Sequence, residues 1–572
     1  MANRSKRNKR KMLTGLALIS VLGTSVLAGC SSSNDKEANA NTNSNTNTNT
    51  NTNTNTNTNT NTAAANGNSG KAANASDGNF HQEGMPIVDK PVTLNVLTIR
   101  WGNMGDTFTK NAWLQDLEKN SNVKINWQVV SSNDWPDQKS VMLASGKLPD
   151  VIIGDQAFGD SDIVNNLEIF RPLDEYIEKD MPNLKAAIQE SPELKKLSTF
   201  PDGKVYSLPA RLPSRPMSGA QPVINKDWLD KLGLKAPETI DDLYNVLKAF
   251  KEQDPNGNGK ADEIPYSDTK DLDVNLLAPF GITDLRGNHM VVKDGKPDYY
   301  PTSDAYKAGM EWAHKLYAEG LIDKETFTQD STMLTAKRQN PDAALIGFTY
   351  QWTPDAVFGP WSKQYETIAP IAGPDGNKYQ IGDPSGLSFR RNEVLITTTC
   401  ENPDVAARWA DQFYTGEASI QNFWGAIGSS IKKNDDGTYA LMDPPDGTSA
   451  DAWYWDSSLR DFGPKYASPE FEKNIKLDPS SGDGLKLTLD QLGKDYVTTP
   501  FPDVMYTAEE YADLPTLTTD IESYIASTRA KWVTKGGIDE EWDAYVKKLN
   551  EMGLEKLIKI YNDAYDRFMA VK

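Results

Sequence analysis

Polar and apolar positions divide the chain into three stretches of different character. Residues 12–28 form an apolar run broken by Gly15, Gly23, Thr24 and Ser25. Residues 31–79 hold no aromatic and almost no large aliphatic residue, and 41–62 is nearly pure Asn-Thr alternation. From Pro91 the pattern changes. Residues 92–99 alternate with a β-rich period of two, 111–120 suits a helix, 124–130 reads as a strand, and 135–145 as a helix closing at Gly146. Val151-Ile152-Ile153 is a short apolar run of the buried parallel-strand kind. Strands alternating with helices imply an α/β fold built on a doubly wound sheet. Near the end, Asp539 can cap a helix with apolar Trp542, Tyr545, Val546 and Leu549, stopped by Gly553. A following helix places Leu554, Ile558, Tyr561, Tyr565 and Phe568 on one face. Apart from the Asn-Thr tract there is no internal repeat, and no membrane-spanning run follows the first one.

The start of the chain sets an address. Six basic residues (Arg4, Lys6, Arg7, Lys9, Arg10, Lys11) precede the apolar run, which ends in Leu27-Ala28-Gly29-Cys30. Charge, apolar core and small residues in this order make 1–29 a secretory signal peptide. A transmembrane anchor is the competing reading, but the run is short and interrupted for a span. Leu-Ala-Gly-Cys resembles a bacterial lipobox, which implies cleavage before Cys30, lipidation of its thiol (palmitate among the acyl chains) and attachment to the outer face of the cell membrane. Residues 30–88 then form a lipidated cysteine and a disordered tether, because a segment so poor in apolar side chains cannot offset its conformational entropy. About fifty flexible residues reach ~40 Å, enough to stand a domain off a membrane.

Length and charge narrow the class. At 572 residues the chain has room for two sizeable lobes. Two cysteines build no disulfide scaffold, and three scattered histidines (His81, His289, His314) argue against a His-based metal site or a Ser/His triad. Net charge is −20; without the six leader cations, 54 basic residues stand against 80 acidic ones, a net −26. Such a surface repels phosphate backbones, so nucleic acid is not an expected partner.

Four segments carry a family resemblance. Ala144-Ser145-Gly146-Lys147-Leu148-Pro149-Asp150-Val151-Ile152 resembles the Ala-Ser-Gly-x-x-Pro-Asp-hydrophobic signature of family 1 extracellular solute-binding proteins. Tyr206-Ser207-Leu208-Pro209, followed by Val223-Ile224-Asn225-Lys226-Asp227-Trp228-Leu229, is similar to that family's first crossing between lobes. Glu393-Val394-Leu395-Ile396-Thr397 with Asn402-Pro403-Asp404-Val405-Ala406-Ala407 resembles the return crossing. The stretch 524–568 is similar to the LplA-type lipoproteins of the family, and the whole resemblance covers about 91–568.

The resemblance implies a two-lobed, periplasmic-binding-protein-like (type II) fold with a hinge and an interlobe cleft, crossed three times by the chain. It places lobe 1 at 89–222 and 387–427, and lobe 2 at 223–386 and 428–572 with the C-terminal helices. It further implies a monomeric, non-catalytic receptor that captures oligosaccharide and presents it to an ABC transporter permease. A surface glycoside hydrolase or lyase, and a receptor for peptides or another solute, remain alternatives, since carboxylate pairs are plentiful.

One loop suggests a metal. Asp254-Pro255-Asn256-Gly257-Asn258-Gly259-Lys260-Ala261-Asp262-Glu263 presents oxygens at alternating positions, with Gly259 where an EF-hand loop turns sharply. Asp254, Asn256 and Asn258 offer side-chain oxygens and Lys260 its carbonyl. The twelfth position is Pro265 rather than Glu, so Asp262 and Glu263 have to complete the shell around a structural Ca2+. The pattern resembles the calcium loop of alginate-binding members of the family; a Gly/Asn-rich surface turn is the other reading.

Fourteen tryptophans suit carbohydrate, whose apolar C–H faces stack on flat rings while hydroxyls meet carboxylates, amides and Arg. Trp113, Trp127, Trp228, Trp312, Trp409, Trp532 and Trp542 fall in periodic elements and are expected in the core. The candidate platforms lie at turns or strand ends: Trp101 and Trp424 first, then Tyr350, Trp352, Trp453 and Trp455. Arg211 and Arg215 after the first crossing, Asp155 after a strand, and Asp383 near the return crossing are candidate polar contacts.

Overall fold

A computed structural model describes residues 78–572 apart from 102, 103, 270, 271, 447, 449 and 481. The signal, Cys30 and the Asn-Thr tract lie outside the described residues.

The first lobe is organised by a five-stranded sheet in the order Val123–Ser131, Val92–Arg100, Val151–Ile153, Phe389–Ile396, Ser207–Arg211. The first three strands run parallel, and Phe389–Ile396 runs antiparallel to both its neighbours. Successive side chains alternate between two buried faces. Val96, Val151, Ile153, Val394 and Ile396 enter one core, whereas Leu97, Ile152 and Leu395 enter the other. Burial on both sides explains why Val151-Ile152-Ile153 reads as an unbroken apolar run. The second lobe carries a four-stranded sheet in the order Tyr365–Thr367, Gln221–Asn225, Ile346–Gln351, Ile264–Tyr266. The expected elements at 92–99, 111–120, 124–130, 135–145 and 151–153 all form, within a residue or two of their limits. Trp228, Trp409 and Trp532 are fully buried, and Trp113, Trp127, Trp312 and Trp542 pack partly buried on the same cores.

The longest helix, Ala508–Lys535, escapes the sequence pattern because Pro515 and a Thr-rich middle mask it. Its buried residues Ile521, Ile525, Thr528 and Trp532 nevertheless recur at helical spacing against the second core. It opens on a capping box from Thr507 and Glu510. The two helices expected at the C-terminus form as Ile538–Glu551 and Leu554–Ala570, but the first is preceded by Gly537 in the left-handed region rather than capped by Asp539.

Three crossings lie side by side between the lobes. Ser218 bridges Gly382 antiparallel, and Gln380 bridges Val497 in parallel. Close approach fixes one residue here: a Cβ on Gly382 would sit 2.2 Å from the Met217 carbonyl oxygen, so only glycine fits. The third crossing therefore lies near 497, not at the expected 427/428 boundary. Leu459 and Tyr466 pack into the first lobe's core, whereas Phe501 and Val504 enter the second's. The intervening segment closes the first lobe with its own small sheet, Ile431–Lys433, Tyr439–Leu441 and Ile475–Lys476. No repeat or motif marks this excursion, so only packing reveals it.

Candidate functional site

Two adjoining cavities, of about 490 and 450 Å³, share Arg215 and Trp352. The first is also lined by Asp155, Arg390 and Asp503, and the second by Trp455, Arg460 and Asp461. Residues from both lobes and from the crossings thus surround one space. A further cavity of about 410 Å³, beside the C-terminal helix and lined by Lys195, Phe200 and Phe568, holds none of the candidate residues.

The first lobe contributes an aromatic platform. Trp101 follows the first strand and is 40% exposed. Its ring lies 4.6 Å from that of Trp455, and Phe462 stands edge-on behind it at 5.7 Å. Chain geometry explains the pairing. Arg100, the last residue of the strand, is buried and donates to the carbonyls of Ser458 (3.1 Å) and Trp455, tying that distant turn to the strand end. Burial lowers the Arg100 guanidinium to about 10 against the pull of Asp456. Beneath the turn, Glu393 accepts from the Gly463 N–H, and Lys465 donates to the Phe462 and Gly463 carbonyls. Both side chains are fully buried. Burial pushes the Glu393 carboxyl well up, Asp155 adding to it, and lowers the Lys465 ammonium to about 8. These groups anchor the turn that carries Asp461 into the cavity and buried Phe462 behind Trp101.

The second lobe contributes Trp352, which follows Ile346–Gln351 and is 42% exposed. Polar partners sit between the rings. Arg215 pairs with Asp461 at 2.9 Å, and Asp155 is raised from the ordinary carboxyl value, first by burial, with Arg390 and Lys465 opposing. Such a site offers flat apolar faces and a fringe of donors and acceptors, the chemistry a polyhydroxylated ring requires.

Of the candidate contacts, Trp101, Asp155, Arg215, Trp352 and Trp455 come together here, Trp101 through its stack on Trp455. The others do not. Trp424 is completely buried, its indole N–H donating to Asp483 at 3.0 Å, because the helix Gly416–Trp424 turns it into a small core with Phe423 and Ile420. Tyr350 points into the second core, edge-on to Phe348. Arg211 is spent on Glu472 (3.0 Å) and the Ala467 carbonyl. Asp383 accepts from Ser385 within its own turn, and Trp453 rests on Tyr454 against the Trp424 core. Sequence reading misses Arg390, Asp461 and Phe462. The Arg390-Arg391 pair at the start of a strand that ends in Val394-Leu395-Ile396 is a usable signal for the first; nothing local distinguishes the other two.

The 254–263 loop folds tightly without bringing together three or more His, Cys, Asp or Glu side chains as a metal cluster among the described residues. Asp254 takes positive φ and accepts from the Gly257 and Gly259 N–H groups, while the Asn256 and Asn258 amides converge on Asp262 at 3.0 Å. Glu263 carries a buried carboxylate oxygen without a hydrogen-bond partner. Burial raises its carboxyl, with Asp254 and Asp262 contributing. The orphaned carboxylate oxygen of Glu263 is the observation that fits a hard cation, since such a buried oxygen otherwise lacks a partner.

Comparison with known proteins places this architecture. The profile of bacterial extracellular solute-binding proteins matches residues 101–421. The fructooligosaccharide ABC transporter substrate-binding protein FusA of Streptococcus pneumoniae is 34% identical over 530 residues, 88% of this chain and 96% of that protein. The polygalacturonan/rhamnogalacturonan-binding protein YtcQ of Bacillus subtilis is 25% identical over 499 residues, 84% and 93% of the two chains. An HMO-binding, ABC-transporter-associated solute-binding protein of Bifidobacterium longum infantis superposes with a TM-score of 0.74 at 31% identity, covering 84% of this chain and 99% of its own. Pneumococcal FusA with kestose, and its EF-hand mutant with fructo-nystose, superpose at 0.70 and 0.69, at 33% and 32% identity, over 84% of this chain and all of theirs.

Proposed function

The chain belongs to the bacterial extracellular solute-binding proteins, and we propose that it captures an oligosaccharide between its lobes and delivers it to an ABC transporter permease. One observation carries this reading. Trp352 of the second lobe and Trp455 of the first line the same cavity, with Arg215 and Asp461 from the crossing and the opposite turn between them. Rigid lobes joined by three paired crossings can close about such a space, each crossing absorbing a few degrees of rotation. Closure excludes water from the stacked rings and lengthens ligand residence. The related proteins are named as substrate-binding components, which supports a receptor without catalytic activity. Calorimetric titration with neutral trisaccharides such as kestose and maltotriose tests it. A saturable isotherm without new products on chromatography is expected; turnover would make the protein a hydrolase or lyase, and no binding to any would sink the oligosaccharide reading.

Working outside the cytoplasm, a monomeric receptor needs to stay with its permease. Cys30 in Leu27-Ala28-Gly29-Cys30 supplies a lipid anchor at the membrane, with the Asn-Thr segment as its tether. Fractionation of Cys30→Ala cells checks this: the variant should leave the membrane fraction.

The 254–263 loop serves as a structural Ca2+ site, with Asp254, Asn256, Asn258, Lys260, Asp262 and Glu263 as its oxygen sources. The buried, unpartnered Glu263 oxygen and the EF-hand variant made of FusA support this assignment. The ion's part is to offset the loop's negative charge and tie the loop to its lobe. Calcium at a hundredfold excess over its Kd stabilises by about 2.7 kcal/mol. Chelation is therefore expected to lower the Tm of the wild type and to leave Asp254→Ala unaffected. A wild-type Tm indifferent to chelation, with calcium loss verified by atomic emission, excludes the site.

A further inference from the structure

We propose that this cleft selects uncharged oligosaccharides over uronate-bearing ones, and that Asp461 and Asp483 are the residues that set the choice. The inference rests on the oligosaccharide reading above and narrows it.

The chain as a whole is strongly acidic, yet the cleft is balanced. Arg215 is held by Asp461 at 2.9 Å and approached by Asp483 at 3.9 Å. Arg460 pairs with Asp483 at 2.8 Å, and Lys486 reaches the other oxygen of the same carboxylate at 3.3 Å. Deeper in, Arg391 binds Asp160 and, at 2.9 Å, Asp503. Arg390 and Asp155 line the larger cavity together with opposite charges. The two remaining lining charges, Arg286 and Asp355, are exposed and of opposite sign. Six cations thus meet six carboxylates, counting Asp483 behind the wall.

The pairs are also fixed in place. The guanidinium of Arg460 lies 4.0 Å from the centre of the Phe423 ring and that of Arg215 5.8 Å from it, so neither turns freely toward a ligand. Asp483 and Arg460 are almost wholly buried. A uronate carboxylate seeking Arg215 has to displace the carboxylate already bound to it, which leaves a desolvated anion without its counter-charge. Elsewhere in the cleft it lies beside Asp155, Asp461 and Asp503. A hydroxyl meets no such obstacle: it donates to a carboxylate and accepts from a guanidinium without breaking the pair between them.

Titration of the mature chain with kestose and maltotriose, and in parallel with trigalacturonate, decides the matter. The better neutral sugar is expected to bind at least 100-fold more tightly than trigalacturonate. Asp461→Asn releases Arg215 and should narrow that ratio by 10-fold or more, the gain shrinking as salt rises. Asp355→Asn shifts the same balance at an exposed position, disturbs no buried pair, and should narrow the ratio in the same direction by less. Trigalacturonate binding as tightly as the neutral sugars would overturn the inference and leave the oligosaccharide reading standing. So would a ratio unchanged in both variants. Binding of neither class would instead remove the reading on which the inference rests.

Discussion

Replacing Trp101 and Trp352 together with alanine is expected to raise the Kd for the best neutral oligosaccharide by about 30-fold to 10⁴-fold, with little change in Tm. Each ring stands some 40% exposed, so neither carries much of the core. Covering one face of a large apolar side chain with a sugar ring contributes about 1–3 kcal/mol, and every 1.4 kcal/mol is tenfold in Kd. The two residues sit on different lobes, and losses at sites without shared partners add. The change should fall mainly on the off-rate, because a closed cleft must open for release. Trp424→Ala is the contrasting control. Fully buried, it is expected to cost about 3–5 kcal/mol of stability while the folded fraction retains its affinity. Stopped-flow dissociation and denaturant titration separate the two outcomes. A double variant that binds like the wild type would show that the ligand lies elsewhere.

Asp483→Asn should destabilise the protein by about 3–5 kcal/mol, the scale for removing one partner from a buried charge network. Four groups converge on this carboxylate: Arg460, Lys486, the more distant Arg215, and the Trp424 indole N–H. The substitution keeps an acceptor for Trp424 but strips Arg460 of its counter-charge. Burial alone would raise the Asp483 carboxyl; Arg460, Lys486 and Arg215 outweigh it and hold the group well below the ordinary carboxylate range. A folded value below the unfolded one means that the unfolded state binds the extra proton on acidification. The contribution is therefore complete above the unfolded value of about 3.9 and is lost as pH falls through the folded one. Urea titrations of wild type and variant should differ by a constant amount from pH 5 to 8, with the gap closing below pH 4. Equal stability at pH 7 would refute the role given to Asp483.

How much of this could be read from the chain alone depends on the range of the interaction involved. Alternation at 92–99, the apolar triplet 151–153 and the helical spacing around Tyr545 and Leu554 are local patterns, and the corresponding strands and helices form at those places. The family signature at 144–152 and the two crossing motifs likewise announce a two-lobed receptor, because they encode short turns and strand starts. The 254–263 loop is legible for the same reason, since its hydrogen bonds join residues within six positions of each other.

The binding surface is of another kind. Trp101 meets Trp455 only because buried Arg100 fastens the 455–458 turn to a strand end more than 350 residues earlier. Trp424 and Trp352 both carry the local marks of a platform, yet one fills a core and the other borders the cleft. The difference is the direction each element takes against neighbours far away in sequence: Asp483 and Leu212 for the first, the edge of the second lobe for the second. The pairing of Arg215 with Asp461, which sets the charge of the site, joins the first crossing to a turn that no motif assigns to either lobe. Periodicity and family order determined the elements and the architecture of this protein. Which aromatic rings are free, and which charges are already spent, was decided by long-range packing alone, because exposure and pairing are properties of the assembled surface and not of any segment of it.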